Sequence, residues 1–207
     1  VSGGKGGSMH LIDLKNNFYG STPIVGSTLP IATGLAFSNK IKKDEDRIVV
    51  IYFGDGAFET GNFHECLNFA SLHNLKILFV CENNFYSVYS DLKVRQNSRV
   101  DIYKASKTYN ISSHRMMGYQ PDKIFTKILD IRKKIIRKSR PYLIEFLTYR
   151  TVEHCGINED DYLNYRPKGE IKFWQKKCPI IYMKEKYKPF KKKFENIENK
   201  IDLLVNK

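Results

Sequence analysis

Asp55 stands between Gly54 and Gly56, directly after the apolar run Ile48-Val49-Val50-Ile51-Tyr52-Phe53. A second apolar run, Ile77-Leu78-Phe79-Val80-Cys81, leads through Glu82 to the paired asparagines Asn83 and Asn84, the latter 29 positions after Asp55. A carboxylate and an amide offer hard oxygen atoms, which suit Mg²⁺, an ion that takes few protein ligands and completes its shell with phosphate and water. The glycines beside Asp55 let backbone N–H groups approach a phosphate, next to the positive end of a following helix. An aspartate after a strand often does no more than cap a turn or helix. The amide at the next strand end and the flanking glycines point instead to a site for a Mg²⁺-bound diphosphate.

These groups need strands to carry them. Between the two runs, Phe63, Leu67, Ala70 and Leu75 have helix-like spacing, so the segment reads strand, turn, helix, strand. A right-handed parallel crossover would bring Asp55 and Asn84 to one edge of one sheet. Upstream, residues 1–27 read as irregular, and Leu29, Ala32, Leu35 and Ala36 mark a helix from Thr28 to near Lys40 with Pro30 in its first turn. Downstream, a loop rich in Tyr, Ser, Asn and Arg runs to about Val100, followed by a short helix over 101–109 and a strand over 111–117. Ile124, Ile128, Ile131 and Ile135 predict a helix from Pro121 to Lys138, and the strand Tyr142–Tyr149 follows Pro141. A polar loop over 150–166 and a helix-rich region from Gly169 to Lys207 close the chain. Strand–helix alternation of this kind predicts the α/β class, a parallel sheet with helices on both faces. The expected organisation is a cofactor-binding domain over 1–166 with a helical, lysine-rich segment, 167–207, packed on it.

The G-D-G and N-N pair, with this separation, resembles the thiamine-diphosphate-binding motif. More of the chain resembles one branch of that superfamily, the alpha subunits of the decarboxylating component of 2-oxo acid dehydrogenase complexes. The runs that carry the likeness are Gly6-Gly7-Ser8-Met9-His10, Asn17-Phe18-Tyr19-Gly20, Ile24-Val25-Gly26 with Leu29-Pro30, and Thr148-Tyr149-Arg150 followed by His154 and Tyr165-Arg166. The resemblance covers about Gly3 to Ile180. The resemblance implies thiamine diphosphate and Mg²⁺ as cofactors, with Asp55, Asn84 and the main-chain carbonyl of Tyr86 on the metal. It implies backbone N–H groups of Gly56 and Ala57, together with Arg150 and His154, around the diphosphate. His154 would also line the entrance to the reacting centre as a catalytic residue. Pro23 and Val25 align with backbone contacts to the aminopyrimidine ring; proline has no N–H to give, so Val25 is the better candidate. From patterning alone, Ile24-Val25 reads equally well as core.

The resemblance also implies a beta-type partner in an assembly of two alpha and two beta chains, and a lipoyl-bearing acyltransferase as acyl acceptor. The glutamate that activates the cofactor's pyrimidine comes from the beta chain in this family, so Glu65 matches only a carboxylate near the subunit interface. Pyruvate dehydrogenases usually show H-G-H-S where this chain reads Val152-Glu153-His154-Cys155. With Cys155 in place of the serine, serine phosphorylation at that position is excluded, and the substrate stays open. The family usually has a substantial region ahead of the first run, so the fold is expected to be N-terminally truncated here. Rival readings are a transketolase-like or simple decarboxylase half, and an inactive cofactor-binding fragment.

The remaining features are bland. His10, His64, His73 and His114 have no partner signal and read as structural or surface residues. Gly3-Gly4-Lys5-Gly6-Gly7-Ser8 is not a phosphate loop, because glycine follows the lysine and no strand precedes it. Cys66, Cys81, Cys155 and Cys178 form no C-x-x-C pair, which argues against zinc and disulfides and predicts a cytoplasmic protein. No apolar run has the length of a membrane span. The net charge is +13, and twelve lysines against five acids lie in residues 167–207. No nucleic-acid motif accompanies them, so the charge reads as a solvated face.

Overall fold

The structure is a computed structural model and describes residues 7–44 and 46–205. Gly6 and the rejected phosphate-loop residues Gly3, Gly4 and Lys5 lie outside the described residues.

The first long element is α1 (Thr28–Ile41), entered through Pro30, with Leu29, Ala32 and Ala36 buried on one stripe. β1 (Val49–Gly54) and β2 (Ile77–Asn83) flank α2 (Gly61–Leu72). Next come two short strands, β3 (Tyr86–Ser87) and β4 (Ser90–Asp91), then the single turn α3 (Leu92–Arg95) and the short α4 (Ile102–Ala105). β5 (Ser112–Met117), α5 (Pro121–Lys138) and β6 (Tyr142–Leu147) complete the α/β part. The chain ends in α6 (Glu170–Gln175), α7 (Pro179–Lys186) and α8 (Lys191–Val205).

Four strands pair in the order β1-β2-β6-β5, all parallel. β2 lies inside the sheet and is apolar on both faces, as parallel strands covered by helices must be. Its alternate residues divide the core. Ile77, Phe79 and Cys81 pack with α1, α2 and Ile102, whereas Leu78 and Val80 pack with Ile131 and Ile135 of α5. The expected layering, helices on both faces, is therefore present. β1 is an edge strand with one face uncovered: Val50 is 41% and Tyr52 61% exposed.

The C-terminal helices sit differently. α6 and α7 reach the rest through aromatic and polar contacts, including Tyr149 stacked on Trp174, Tyr182 against Tyr119, and the Lys186–Asp122 ion pair. α8 has an apolar stripe but buries no residue. Among the described residues, no helix is long and apolar enough to cross a membrane.

Candidate cofactor site

The register of β1 on β2 aligns Phe53 with Cys81 and Gly54 with Glu82. Asp55 and Asn83 therefore leave the sheet at the same level on adjacent strands, with Asn84 one residue further. The predicted strand ended at Cys81; the observed one continues to Asn83. Asp55 begins a 3-10 turn, Asp55–Glu59, which separates β1 from α2. This is the expected turn between strand and helix: the N–H groups of Gly56 and Ala57 belong to it, and α2 starts at Gly61. The turn is closed by Thr60, whose Oγ1 donates to the carbonyl of Ala57 at 2.8 Å. A Cβ on Gly56 would stand 2.8 Å from Ser87 Oγ, so glycine permits the β3 strand to lie close over the turn.

Asn84 makes a side-chain turn of its own, its Oδ1 accepting from the Tyr86 N–H at 3.0 Å. One lone pair of that oxygen remains for another partner. Asn83 is held on three sides. Its Oδ1 accepts from Phe85 N–H at 3.0 Å, its carbonyl from Thr148 N–H at 2.9 Å, and its Nδ2 donates to Glu145 Oε1 at 2.7 Å. Glu145, on β6, is fully buried. It also accepts from Arg115 Nε at 2.8 Å and from the Tyr103 N–H at 3.2 Å. Arg115 carries a second ion pair, with Asp101 at 2.8 Å. Burial disfavours the Arg115 cation, yet Glu145 and Asp101 outweigh it and hold its pKa above the usual value.

Asp55 is 1% exposed, and a buried carboxylate needs a cation. Arg95 supplies one here, its Nη2 2.5 Å from Asp55 Oδ2. The same guanidinium pairs with Glu59 and donates from Nε to the carbonyl of Ser90 at 3.1 Å. Among the described residues no three His, Cys, Asp or Glu side chains gather into a ready-made metal cage. A buried carboxylate already matched to a cation, with an amide oxygen beside it, nevertheless fits the donor set of a magnesium diphosphate.

Tyr86 is buried, and its side chain has a role that the sequence did not signal. Its hydroxyl donates to Glu170 Oε2 at 2.7 Å, and Tyr149 donates to the same oxygen at 3.0 Å. Burial first, and then the Glu170 carboxylate, push both hydroxyls well above the normal tyrosine range. α6 is thereby tied to the strand end that bears the metal candidates.

Arg150 spans two loops. Nη1 donates to the Val152 carbonyl at 2.5 Å, and Nη2 to the Val88 carbonyl at 2.6 Å. The 150–166 loop read as merely polar, but it is stapled by an interior pair of Asp160 with Arg166, 1% and 8% exposed. Burial opposes ionisation of Asp160, but bonds from Tyr165 and Arg166 prevail and keep its carboxyl below the usual range. His154 is exposed in a turn of this loop. Val25 is 66% exposed just before Gly26, which excludes the reading of Val25 as core. Gly26 has φ +83°, and a Cβ there would meet Thr60 Oγ1 at 2.9 Å, so this glycine seats the Val25 loop against the entry to α2.

The other histidines behave as expected. His64 Nδ1 lies 3.1 Å from Tyr109 OH, His73 packs on Phe37 and Phe69, and His10 is exposed. Glu65 is exposed on α2. A surface depression of about 630 Å³ runs along α5 past Asp122, Lys127 and Tyr187 and includes none of the site candidates.

The sheet order and the paired strand ends define the thiamine-diphosphate-binding fold. Transketolase from Leishmania mexicana is similar at a TM-score of 0.51 and 18% identity, covering 61% of this chain and 20% of that one. Within that fold, the chain belongs to the family described as "Dehydrogenase E1 component", whose model matches residues 2–202. The pyruvate dehydrogenase E1 component subunit alpha of Rickettsia prowazekii (strain Madrid E) is 34% identical over 184 residues, covering 89% of this chain and 55% of the relative. The mitochondrial 2-oxoisovalerate dehydrogenase subunit alpha 2 of Arabidopsis thaliana is 35% identical over 175 residues, covering 84% and 36%. The chain thus spans about half or less of the length of these relatives.

Proposed function

We propose that this chain is an alpha-type subunit of a thiamine-diphosphate-dependent 2-oxo acid dehydrogenase and binds the cofactor as its magnesium complex. The observation that carries the reading is the meeting of Gly54-Asp55-Gly56 and Asn83-Asn84 at one end of adjacent parallel strands, in a member of this family. Family membership favours this over the transketolase-like and simple-decarboxylase readings. Asp55, Asn84 and the Tyr86 carbonyl would hold Mg²⁺. The N–H groups of Gly56 and Ala57, with Arg150 and His154, would face the diphosphate, and the backbone at Val25 the aminopyrimidine. When bound, the cofactor supplies an electron sink for loss of carbon dioxide from a 2-oxo acid.

The protein's part is to bind and orient. Glu145 fixes Asn83, and through it the turn that presents Asn84. Glu170 fixes Tyr86. Exposed His154 would donate a hydrogen bond to an anionic group at the entrance. A beta-type chain, in an assembly of two alpha and two beta chains, would complete the site, and a lipoyl-bearing acyltransferase would take the acyl group. Cytoplasmic residence is supported by the four free cysteines.

Calorimetric titration of the assembled full-length protein with Mg²⁺ and thiamine diphosphate tests the site. Asp55→Ala should abolish binding while the fold persists, because Asp55 lies at a strand end and its partner Arg95 keeps Glu59. Unchanged affinity in the variant would remove the metal assignment. Assay of 2-oxo acids with an artificial electron acceptor, with the beta chain present, separates an active subunit from an inactive cofactor-binding piece.

A further inference from the structure

The turn that presents Asn84 and Tyr86 is strained. Phe85 lies at φ +70° and Val88 at φ +55°, a region that bulky and β-branched side chains enter only where their surroundings hold them. Local bonds do part of the holding: the N–H groups of Phe85 and Tyr86 donate to Asn83 Oδ1 and Asn84 Oδ1, both at 3.0 Å. More comes from far along the chain. Glu170 and Trp174 stand four residues apart on α6 and so share one face of it. Glu170 Oε2 accepts from the hydroxyls of Tyr86 and Tyr149, at 2.7 and 3.0 Å. Trp174 lies flat against Tyr149, with 5.4 Å between ring centroids, and meets the Phe85 ring at 5.6 Å. α6 buries no residue of its own, so core packing does not account for its place. What it grips is two consecutive residues of the strained turn, together with the tyrosine just beyond β6.

We propose that α6 is a clamp on this turn, with Glu170 as a positioning residue that sets the direction of the Tyr86 main-chain carbonyl and, through it, the affinity for Mg²⁺. The inference rests on the reading of that carbonyl as a magnesium ligand. Mg²⁺ demands near-octahedral ligands at about 2.0–2.1 Å, so a carbonyl free to swing costs affinity. Tyr86 is pinned at both ends, its N–H on Asn84 and its hydroxyl on Glu170, which fixes the ring and with it the peptide that follows. Both tyrosine hydroxyls converge on a single carboxylate oxygen. A neutral amide oxygen also has two lone pairs and can accept both. The role therefore needs an acceptor at that place and not its charge.

The test titrates the assembled full-length protein calorimetrically with Mg²⁺ in the presence of thiamine diphosphate, as wild type, Glu170→Ala, Glu170→Gln and Tyr86→Phe. Glu170→Ala should weaken binding about tenfold, the low end for bonds to a charged acceptor, because the empty protein loses them too. Glu170→Gln should stay within about threefold of wild type, since it keeps the accepting oxygen. Tyr86→Phe removes one hydroxyl and leaves Tyr149 on Glu170, so it should weaken binding by about three- to tenfold even where Glu170→Ala does not assemble. Hydrogen exchange of the empty proteins should show the Phe85 and Tyr86 amides opening faster in Glu170→Ala and Tyr86→Phe than in Glu170→Gln. A lowered melting temperature with wild-type Mg²⁺ affinity in Glu170→Ala or Tyr86→Phe would make Glu170 a structural tie and overturn the positioning role. A loss in Glu170→Gln as great as in Glu170→Ala would overturn it as well, by assigning the effect to charge. Unchanged exchange in every variant would overturn the clamp. No binding by wild type would remove the magnesium reading itself, and the positioning role with it, while the exchange of the two amides still decides the clamp.

Discussion

Replacing Glu145 with Gln should be among the most damaging single changes in the sheet. The carboxylate is fully buried and uses both oxygens. Oε1 accepts from Asn83 Nδ2 at 2.7 Å and Arg115 Nη2 at 3.1 Å; Oε2 accepts from Arg115 Nε at 2.8 Å and Tyr103 N–H at 3.2 Å. Whichever way a glutamine amide is turned, its NH₂ faces two donors. The arginine also loses one of its two carboxylates. Breaking a buried pair by removing one partner costs about 3–5 kcal/mol. Arg115 is 30% exposed and retains Asp101, which favours the lower end, so we expect about 3 kcal/mol. That is a large share of the roughly 5–15 kcal/mol by which domains are stable. Urea unfolding followed by circular dichroism should show a lowered midpoint with an unchanged slope. The double variant Glu145→Met with Arg115→Met should be less destabilised than the two single effects added together, because neither charge is then left alone. A loss below about 1 kcal/mol in Glu145→Gln would refute the reasoning, since a single neutral hydrogen bond could account for it.

His154→Ala, in the assembled enzyme, should keep the melting temperature of the empty protein within the range of surface changes, about 0.5 kcal/mol, yet lose one to two powers of ten in activity or cofactor affinity; wild-type activity would sink the assignment. Gly26→Ala should destabilise the protein by about 1–3 kcal/mol, read by thermal unfolding, because the residue combines φ +83° with a Cβ position 2.9 Å from Thr60 Oγ1. His114 is held below the usual histidine pKa, by burial first and then by Lys127 and Lys134. The unfolded chain therefore takes up a proton near pH 6.5 that the folded chain still refuses, so stability should fall as pH drops from about 6.5 through the folded value. His114→Gln should flatten that part of a plot of melting temperature against pH.

Much of the sheet was legible because its signals are local. The runs at 48–53 and 77–81, and the isoleucine spacing of α5, are patterns within one element, and the structure places them as expected. The paired site ends at Asp55 and Asn84 were legible too, since glycine and asparagine punctuate them. The β3–β4 hairpin was not. Its turns use Phe85 at φ 70° and Val88 at φ 55°, left-handed positions that ordinarily advertise themselves by glycine or asparagine. Glu145 carried no signal of its own, because its partners come from β2, α4 and β5, which meet only in the folded sheet. Arg95 was hidden for the same reason, forty residues from the carboxylate it neutralises. The staple of Asp160 and Arg166 was hidden differently: both ends lay in view, but nothing in a polar loop marks which of its charges turn inward.

The strand order has a consequence for how the molecule is made. β6 is the last strand among the described residues, yet it lies in the interior of the sheet between β2 and β5. A nascent polypeptide that has emerged only as far as α5 already contains Asp55, Asn83 and Asn84, but the seam between β2 and β5 is still open and no carboxylate reaches Asn83. Insertion of residues 142–147 closes that seam and delivers Glu145 in the same event. The sheet and the support of the Asn83 turn are thus completed together, and a chain halted before β6 would carry Asp55 and Asn84 without the carboxylate that fixes the turn between strand and Asn84.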